Sequence, residues 1–288
     1  MHFLFLLLAA EPLWATKPFT APHSFTKEIE GPAVDRAGNI YAVSYARTPT
    51  IGRVTPGGVA EVWLELPHGS LANGIRFDRQ GMMYVADYVN HNILRIDPAT
   101  KKIEVFAHSE AMSQPNDLAM APDDTLYASD PNWKEGTGQI WHIDRQGTLR
   151  QVAQGMGTVN GIEVSANGRH LYVNESVQRK VWVFDIQRDH TLKNKRLLIE
   201  FTDHGFDGMR ADAKGNLYIS RYGKGVIAIV SPQGKVIREV PVLGARPSNI
   251  CFGGPDGKTV YVTEVENGRL VTFRANQPGL EFKRWNKF

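Results

Sequence analysis

From about residue 30 onward, apolar and polar positions alternate with a period of two in short runs, and turns rich in Gly, Asn, Asp or Pro close each run. The clearest unit is NGIEVSANGRHLYVNES, residues 160 to 176. It opens on Asn160-Gly161, alternates through Ile162 and Val164, turns at Ala166-Asn167-Gly168 and continues through Leu171-Tyr172-Val173. After a short loop comes a third run, Val181 to Asp185. Such a unit predicts a meander of short antiparallel strands.

The unit recurs. Copies begin at Glu30 (EGPAVDRAGNIYAVSY), Asn73 (NGIRFDRQGMMYVADY), Asn116 (NDLAMAPDDTLYASDP), Asn160, Asp207 (DGMRADAKGNLYISRY) and Ser248 (SNICFGGPDGKTVYVTE), spaced by 41 to 47 residues. Third runs follow at Ile51 to Val54, Ile93 to Asp97, Ile140 to Asp144, Val226 to Val230 and Leu270 to Phe273. Fourth runs follow in turn, for example Val59 to Leu64 and Ile103 to Phe106. Six copies at this period predict an all-β fold, a six-bladed β-propeller with four-stranded antiparallel blades. A single sheet cannot bury both of its faces, so the blades must stack around an axis, with the Trp and Tyr residues of the strands in the core. No long segment past Ala10 shows a 3.6-residue period, so no helix is predicted there. No linker separates the copies, and a single domain is expected over residues 17 to 288, closed by pairing Ser24 to Lys27 with the last blade.

In this architecture the first residue of each copy starts an innermost strand, so the six anchors form a ring at one mouth of the axial channel. They are Glu30, Asn73, Asn116, Asn160, Asp207 and Ser248: two carboxylates, three amides and a hydroxyl. Turn chemistry explains Asn, Asp or Ser before a strand, and it accounts for Ser248 and Asn73. It does not account for a Glu and an Asp converging on one axis, where each would raise the other's pKa unless a cation sat between them. Oxygen donors alone, with no imidazole or thiolate, suit Ca2+ better than Zn2+, with Mg2+ or Mn2+ as substitutes.

Composition narrows the function classes. The formal charge of +3 and the even spread of Lys and Arg give no support to a nucleic-acid partner or a membrane-surface role. Cys251 is the one cysteine, so an intrachain disulfide and a Cys-based metal site are excluded, and its apolar setting predicts a buried structural residue. The N-terminal run HFLFLLLAA is too short to span a bilayer and reads as the apolar core of a secretory signal over residues 1 to 15. Export to the periplasm or medium is expected on that ground, with a cytoplasmic location as the alternative.

At the anchors the sequence resembles the SMP-30/gluconolactonase/LRE group of six-bladed propellers, kin of the paraoxonases and strictosidine-synthase-like proteins. The segments that carry the resemblance are Glu30-Gly31-Pro32, Pro115-Asn116-Asp117, Asn160-Gly161 with LYVNES, Asp207-Gly208-Met209 with Asp212, and PSNICFGGPDGKTVYVTE. The resemblance implies that Glu30, Asn160 and Asp207 hold a catalytic divalent metal, usually Ca2+, with Mg2+, Mn2+ or Zn2+ as substitutes. It places Asn116 toward the metal or the substrate. It further implies hydrolysis of a small-molecule lactone, with Asp207 as ligand and proton acceptor and Asp117 as the second choice for that carboxylate, beside the substrate.

Two departures bear on the substrate. Gln114 stands where gluconolactonases carry an Arg that holds a sugar acid, and Ser129-Asp130-Pro131 resembles the paraoxonase and strictosidine-synthase-like branches. An apolar or aromatic lactone or ester is therefore expected alongside a sugar lactone. Asn132, Trp133, Glu175, Arg221, Tyr222 and Glu264 are expected on the rim, the charged ones pairing across loops, and His204 in a loop entering the mouth. Two alternatives stay open: a non-catalytic propeller with a structural ion, and a metal-free condensing enzyme of the strictosidine-synthase type.

Overall fold

The computed structural model describes residues 12–285; the signal-like run Met1 to Ala10 lies outside them. Six four-stranded antiparallel sheets follow one another along the chain. The first is Ala33–Val34, Ile40–Val43, Thr50–Val54 and Ala60–Glu65, neighbours in space as in sequence. Each blade begins with the strand nearest the axis. These inner strands are Ala33–Val34, Ala72–Phe77, Leu118–Met120, Val159–Val164, Met209–Ala211 and Pro247–Gly253. Each touches the inner strands of the two flanking blades, so together they enclose a channel. The fold is the six-bladed propeller that the repeat period predicts.

The core lies between blades. Tyr41, Ile51 and Trp63 of blade one pack on Ile75, Met83 and Val85 of blade two, and Tyr41 meets Trp63 and Phe77 edge to face with ring centroids 4.9 and 5.5 Å apart. The polar end of that Tyr is not wasted: its hydroxyl donates to Asp35 Oδ2 in the preceding turn (3.1 Å), as Tyr84 does to Asp78 Oδ2 (3.2 Å). One repeated Tyr thus joins apolar packing to turn geometry.

Ring closure differs from the expectation. Lys17–Pro18, not residues 24 to 27, pairs with Arg269–Arg274 and supplies the outer strand of the last blade, in register Lys17↔Thr272 and Pro18↔Val271. An outer strand needs only ladder hydrogen bonds and buries neither face, so this exposed Lys-Pro pair carries no apolar period to read. Phe25 instead straps the two ends together, donating its N–H to Gly268 O (2.9 Å) and bridging to Tyr45 of blade one. Leu13 and Trp14, upstream of the expected cleavage point, also sit on the last blade: Leu13 bridges to Arg274 and the Trp14 N–H donates to Arg274 O (2.9 Å).

A second difference is a helix, Leu280–Trp285. Six residues are too few to display a helical period, which is why the pattern hides it. It closes the channel end remote from the anchors. Leu280 is buried, Glu281 reaches Arg76 inside the channel (3.1 Å), and Arg284 donates to Met120 O (2.6 Å) and Val164 O (3.3 Å) at the ends of two inner strands.

Around the axis the backbones approach closely. A Cβ on Gly31, whose φ is +58°, would come within 1.9 Å of Asn73 O; one on Gly74 would come within 2.8 Å of the Asp117 Cα and 2.9 Å of Asn116 O. The Asp117 Oδ1 lies nearer still, at 2.7 Å, but the other two neighbours are backbone and cannot swing aside. Gly74→Ala is therefore expected to destabilise the fold by about 1–3 kcal/mol, the usual cost of an overpacked interior. Denaturant unfolding measures it; a variant as stable as the parent would contradict this close approach.

Candidate functional site

The six anchors converge. Glu30, Asn73, Asn116, Asn160, Asp207 and Ser248 all line one cavity of about 670 Å³ at the mouth of the channel. Backbone and side-chain bonds between blades hold the ring together. Gly74 N–H donates to Asn116 O (2.8 Å), Gly208 N–H to Ser248 O (2.7 Å), Asn174 Nδ2 to Asp207 O (2.7 Å) and Ser248 Oγ to Ile29 O (2.8 Å). The Ser248 hydroxyl is thereby committed to structure, as turn chemistry implied, and also meets Thr263 Oγ1 at 2.7 Å.

Four of the other anchors each keep an oxygen without a partner among the described residues. Glu30 Oε1 and the Oδ1 atoms of Asn73, Asn116 and Asn160 are buried acceptors without a hydrogen-bond partner. Buried oxygens are almost always satisfied, so four orphans facing one cavity ask for a positive group among them. Asn73, assigned to turn chemistry from the sequence, belongs with this set. The second Glu30 oxygen accepts the Gly31 N–H.

The carboxylates carry the same strain in their ionisation. Burial, then the Asp117 charge, pushes Glu30 up to about 7. Burial, then the neighbouring Glu30, pushes Asp207 well above the ordinary carboxylate range, although Asn160 hydrogen-bonds it in opposition. No arginine bonds to either.

The arginines are engaged one layer down. Asp117 stands at the position where other inner strands carry Gly31, Gly74, Gly161 and Gly208. Its carboxylate is held by Arg210 (2.7 and 3.3 Å) and Arg76 (3.5 Å), all three buried, and it is absent from the cavity wall. The expectation that Asp117 touches substrate is corrected accordingly: two guanidinium groups turn it into the channel. Arg76 and Arg210, three residues after their anchors, escaped the sequence reading. Stacking the copies at that offset would have shown them, with Glu163 at the same level.

Rim residues also differ in part from expectation. Arg221 pairs with Asp203 of the preceding loop (2.6 Å), as expected, whereas Glu175 and Glu264 pair within their own blades, with Lys195 (4.0 Å) and Arg269 (3.2 Å), and are buried loop caps. Glu175 accepts the Gly157 N–H (2.8 Å), and Glu264 accepts the N–H groups of Glu266 (2.8 Å) and Asn267 (3.2 Å). Asp87 and Asp130 do likewise, accepting the N–H groups of Leu71 (3.1 Å) and Gln114 (2.6 Å) two residues before an anchor. Asp130 of the Ser129-Asp130-Pro131 stretch is thus a positioning group, remote from substrate. In blade five the sign inverts: buried Arg221 donates to Asp203 O (2.5 Å) and stacks over the Phe201 ring at 4.0 Å.

The residue following each of these caps, or shortly after, walls the cavity: Tyr88, Trp133, Val177, Tyr222 and Val265. His204 lies at the mouth with φ +41°. Asn132 caps a turn through Glu135 N–H (3.1 Å) and does not enter the cavity. Cys251 is buried, as expected.

Among the described residues no three His, Cys, Asp or Glu side chains form a metal-binding group. The ring therefore offers two carboxylates completed by amide oxygens. That donor set matches hard divalent cations that prefer oxygen and gives nothing to a metal that requires nitrogen or sulfur. The residues present fit a cation of the Ca2+ type.

Two outcomes follow from this geometry. Asp117→Ala strands two buried guanidinium groups and is expected to cost about 3–5 kcal/mol in denaturant unfolding; a neutral effect would contradict the ion-pair layer. In chelator, the fold holds protons on Glu30 and Asp207 that the unfolded chain releases; the contribution of Glu30 is complete below about pH 4 and lost as pH rises through about 7, and that of Asp207, also raised, is lost in the same direction. The melting temperature of the parent should fall relative to that of Glu30→Gln between pH 5 and pH 8, a window set by about 7 for the folded Glu30. Parallel curves would contradict it.

A gluconolactonase of Zymomonas mobilis is 25% identical over 274 residues, covering 83% of this chain and 76% of the relative. The diisopropyl-fluorophosphatase of Loligo vulgaris is 26% identical over 286 residues, covering 87% and 90%. A solved structure described as a calcium-binding protein, regucalcin, from Agrobacterium tumefaciens superposes with a TM-score of 0.79 at 20% identity, covering 93% of this chain and 97% of that one. The signature described as SMP-30/Gluconolactonase/LRE-like region matches residues 29–266, and the chain belongs to that family.

Proposed function

We propose that this protein is a divalent-metal-dependent lactonase, a carboxylic ester hydrolase acting at the mouth of the propeller channel. The observation that carries the proposal is the set of unpartnered oxygens of Glu30, Asn73, Asn116 and Asn160, gathered with Asp207 around one cavity. Glu30, Asn160 and Asp207, with Asn116 beside them, would hold a cation such as Ca2+. When bound, that cation supplies positive charge to the carbonyl oxygen of an ester, which a ring of oxygen acceptors cannot. Similarity to gluconolactonase and to a calcium-binding regucalcin supports this reading.

The chain's own groups do the rest. Asp207, buried and held by Asn160, is placed to take a proton from water as its oxygen bonds to the ester carbon. The ring C–O bond then breaks, the proton passes to the departing alkoxide, and a hydroxy acid results. Asn73 and Asn116, on the adjacent blades two and three, orient the reacting group from one side of the ring. The apolar walls of the cavity limit competing water.

The test is hydrolysis of a panel of lactones by the purified chain, with chelator and after Ca2+ is returned. Turnover should disappear in chelator and return with the cation, and Asp207→Asn should lower kcat by about 100-fold or more. Turnover indifferent to chelator would overturn the metal role. Thermal stabilisation by Ca2+ with no lactone turned over would point to a structural ion in a binding protein.

A further inference from the structure

The polar floor of the cavity is surrounded by walls that are mainly ring and aliphatic surface, with the exposed Lys27, Glu28, Arg179 and His204 also in the lining. The Tyr88 hydroxyl is bonded by the side chains of Trp133 and Gln114, and Gln114 Oε1 also accepts the Trp133 backbone N–H (3.3 Å). The Tyr222 hydroxyl is bonded by Arg246. Ser176 Oγ donates to Phe206 O (2.7 Å). What these residues turn toward the cavity is therefore ring and aliphatic surface. Val177 and Val265 continue it, and at the rim Trp133 is 39% and Val177 60% exposed, two large apolar side chains side by side on one cavity wall.

A sugar lactone carries several hydroxyl groups, and each one set against the ring and aliphatic part of this wall loses bonds to water without replacement there. An alkyl or aryl substituent gains by the same transfer. The cavity of about 670 Å³ also lies within the roughly 300–1,000 Å³ that encloses drug-sized ligands. We infer that the substrate is a lactone bearing an apolar alkyl or aryl substituent, seated against Tyr88, Trp133 and Val177 on one side and Phe206, Tyr222 and Val265 on the other. This rests on the lactonase reading and adds to it the chemical class of the group that does not react. Gln114 is a positioning residue here: it fixes Tyr88 and Trp133 without reaching the cavity.

The experiment measures kcat/KM of the Ca2+-loaded protein on δ-lactones with hydrogen, butyl, hexyl or octyl at the ring carbon, with glucono-δ-lactone beside them. Binding of the matching δ-lactams, which resist hydrolysis, is measured by calorimetry. Each buried methylene should raise kcat/KM and lactam affinity by about three- to fourfold until the chain outgrows the cavity, with the gain in KM. Trp133→Ala should reduce the octyl-to-unsubstituted ratio about tenfold, and Gln114→Ala should reduce it in the same direction with kcat preserved. Lactones hydrolysed without dependence on chain length, or glucono-δ-lactone preferred, would overturn the inference and leave the lactonase reading standing. Lactams bound with rising affinity while no lactone is turned over would overturn the lactonase reading and leave the apolar pocket standing. Lactams bound no better as the chain grows would overturn the inference independently of any turnover.

Discussion

Two carboxylates buried at the channel mouth, with no basic side chain among the described residues bonded to either, form the constraint around which the rest of the structure is arranged. Each carboxylate resists ionisation because of burial and because of the negative charge near it. A fold that kept Glu30 and Asp207 apart would avoid the cost. This one closes six blades into a ring, ties the inner strands across each blade boundary and uses glycine where backbones nearly touch. The unfavourable approach is thus held by packing distributed over the whole molecule, and a cation at the centre would relieve it.

The channel below shows how the same difficulty is met with protein groups alone. Asp117 is as buried as the anchors, yet Arg76 and Arg210 neutralise it, and Glu281 takes the far side of Arg76. Guanidinium groups thus serve the lower layer and leave the upper one open. A ring neutralised by arginine would be a plug; a ring left unpaired is a binding site. The difference lies in which positions of the repeat carry Arg and which carry Asn.

Much of this was legible because a propeller writes its geometry as a period. The strand pattern, the six anchors and their convergence all follow from one offset along the repeats, and the convergence of Glu30, Asn160 and Asp207 on one cavity follows with them. What escaped lies at other offsets or outside the repeats. Arg76 and Arg210 occupy the polar positions of the inner-strand alternation, which reads as a solvated face, and their partners are remote in sequence. Glu175, Glu264 and Asp130 look like surface charges in sequence, whereas their work is with backbone N–H groups that no pattern of side chains reveals. Lys17–Pro18 and the helix Leu280–Trp285 are too short to carry a period at all. Local alternation predicts what is repeated and half buried; it is silent on contacts made once.

The most direct measurement is a diffraction map of crystals equilibrated with Ca2+ above pH 7. The account predicts a single strong peak on the channel axis, about 2.3–2.6 Å from side-chain oxygens of Glu30, Asn160 and Asp207. An empty ring, with Glu30 and Asp207 sharing a proton while Ca2+ is abundant, would contradict it.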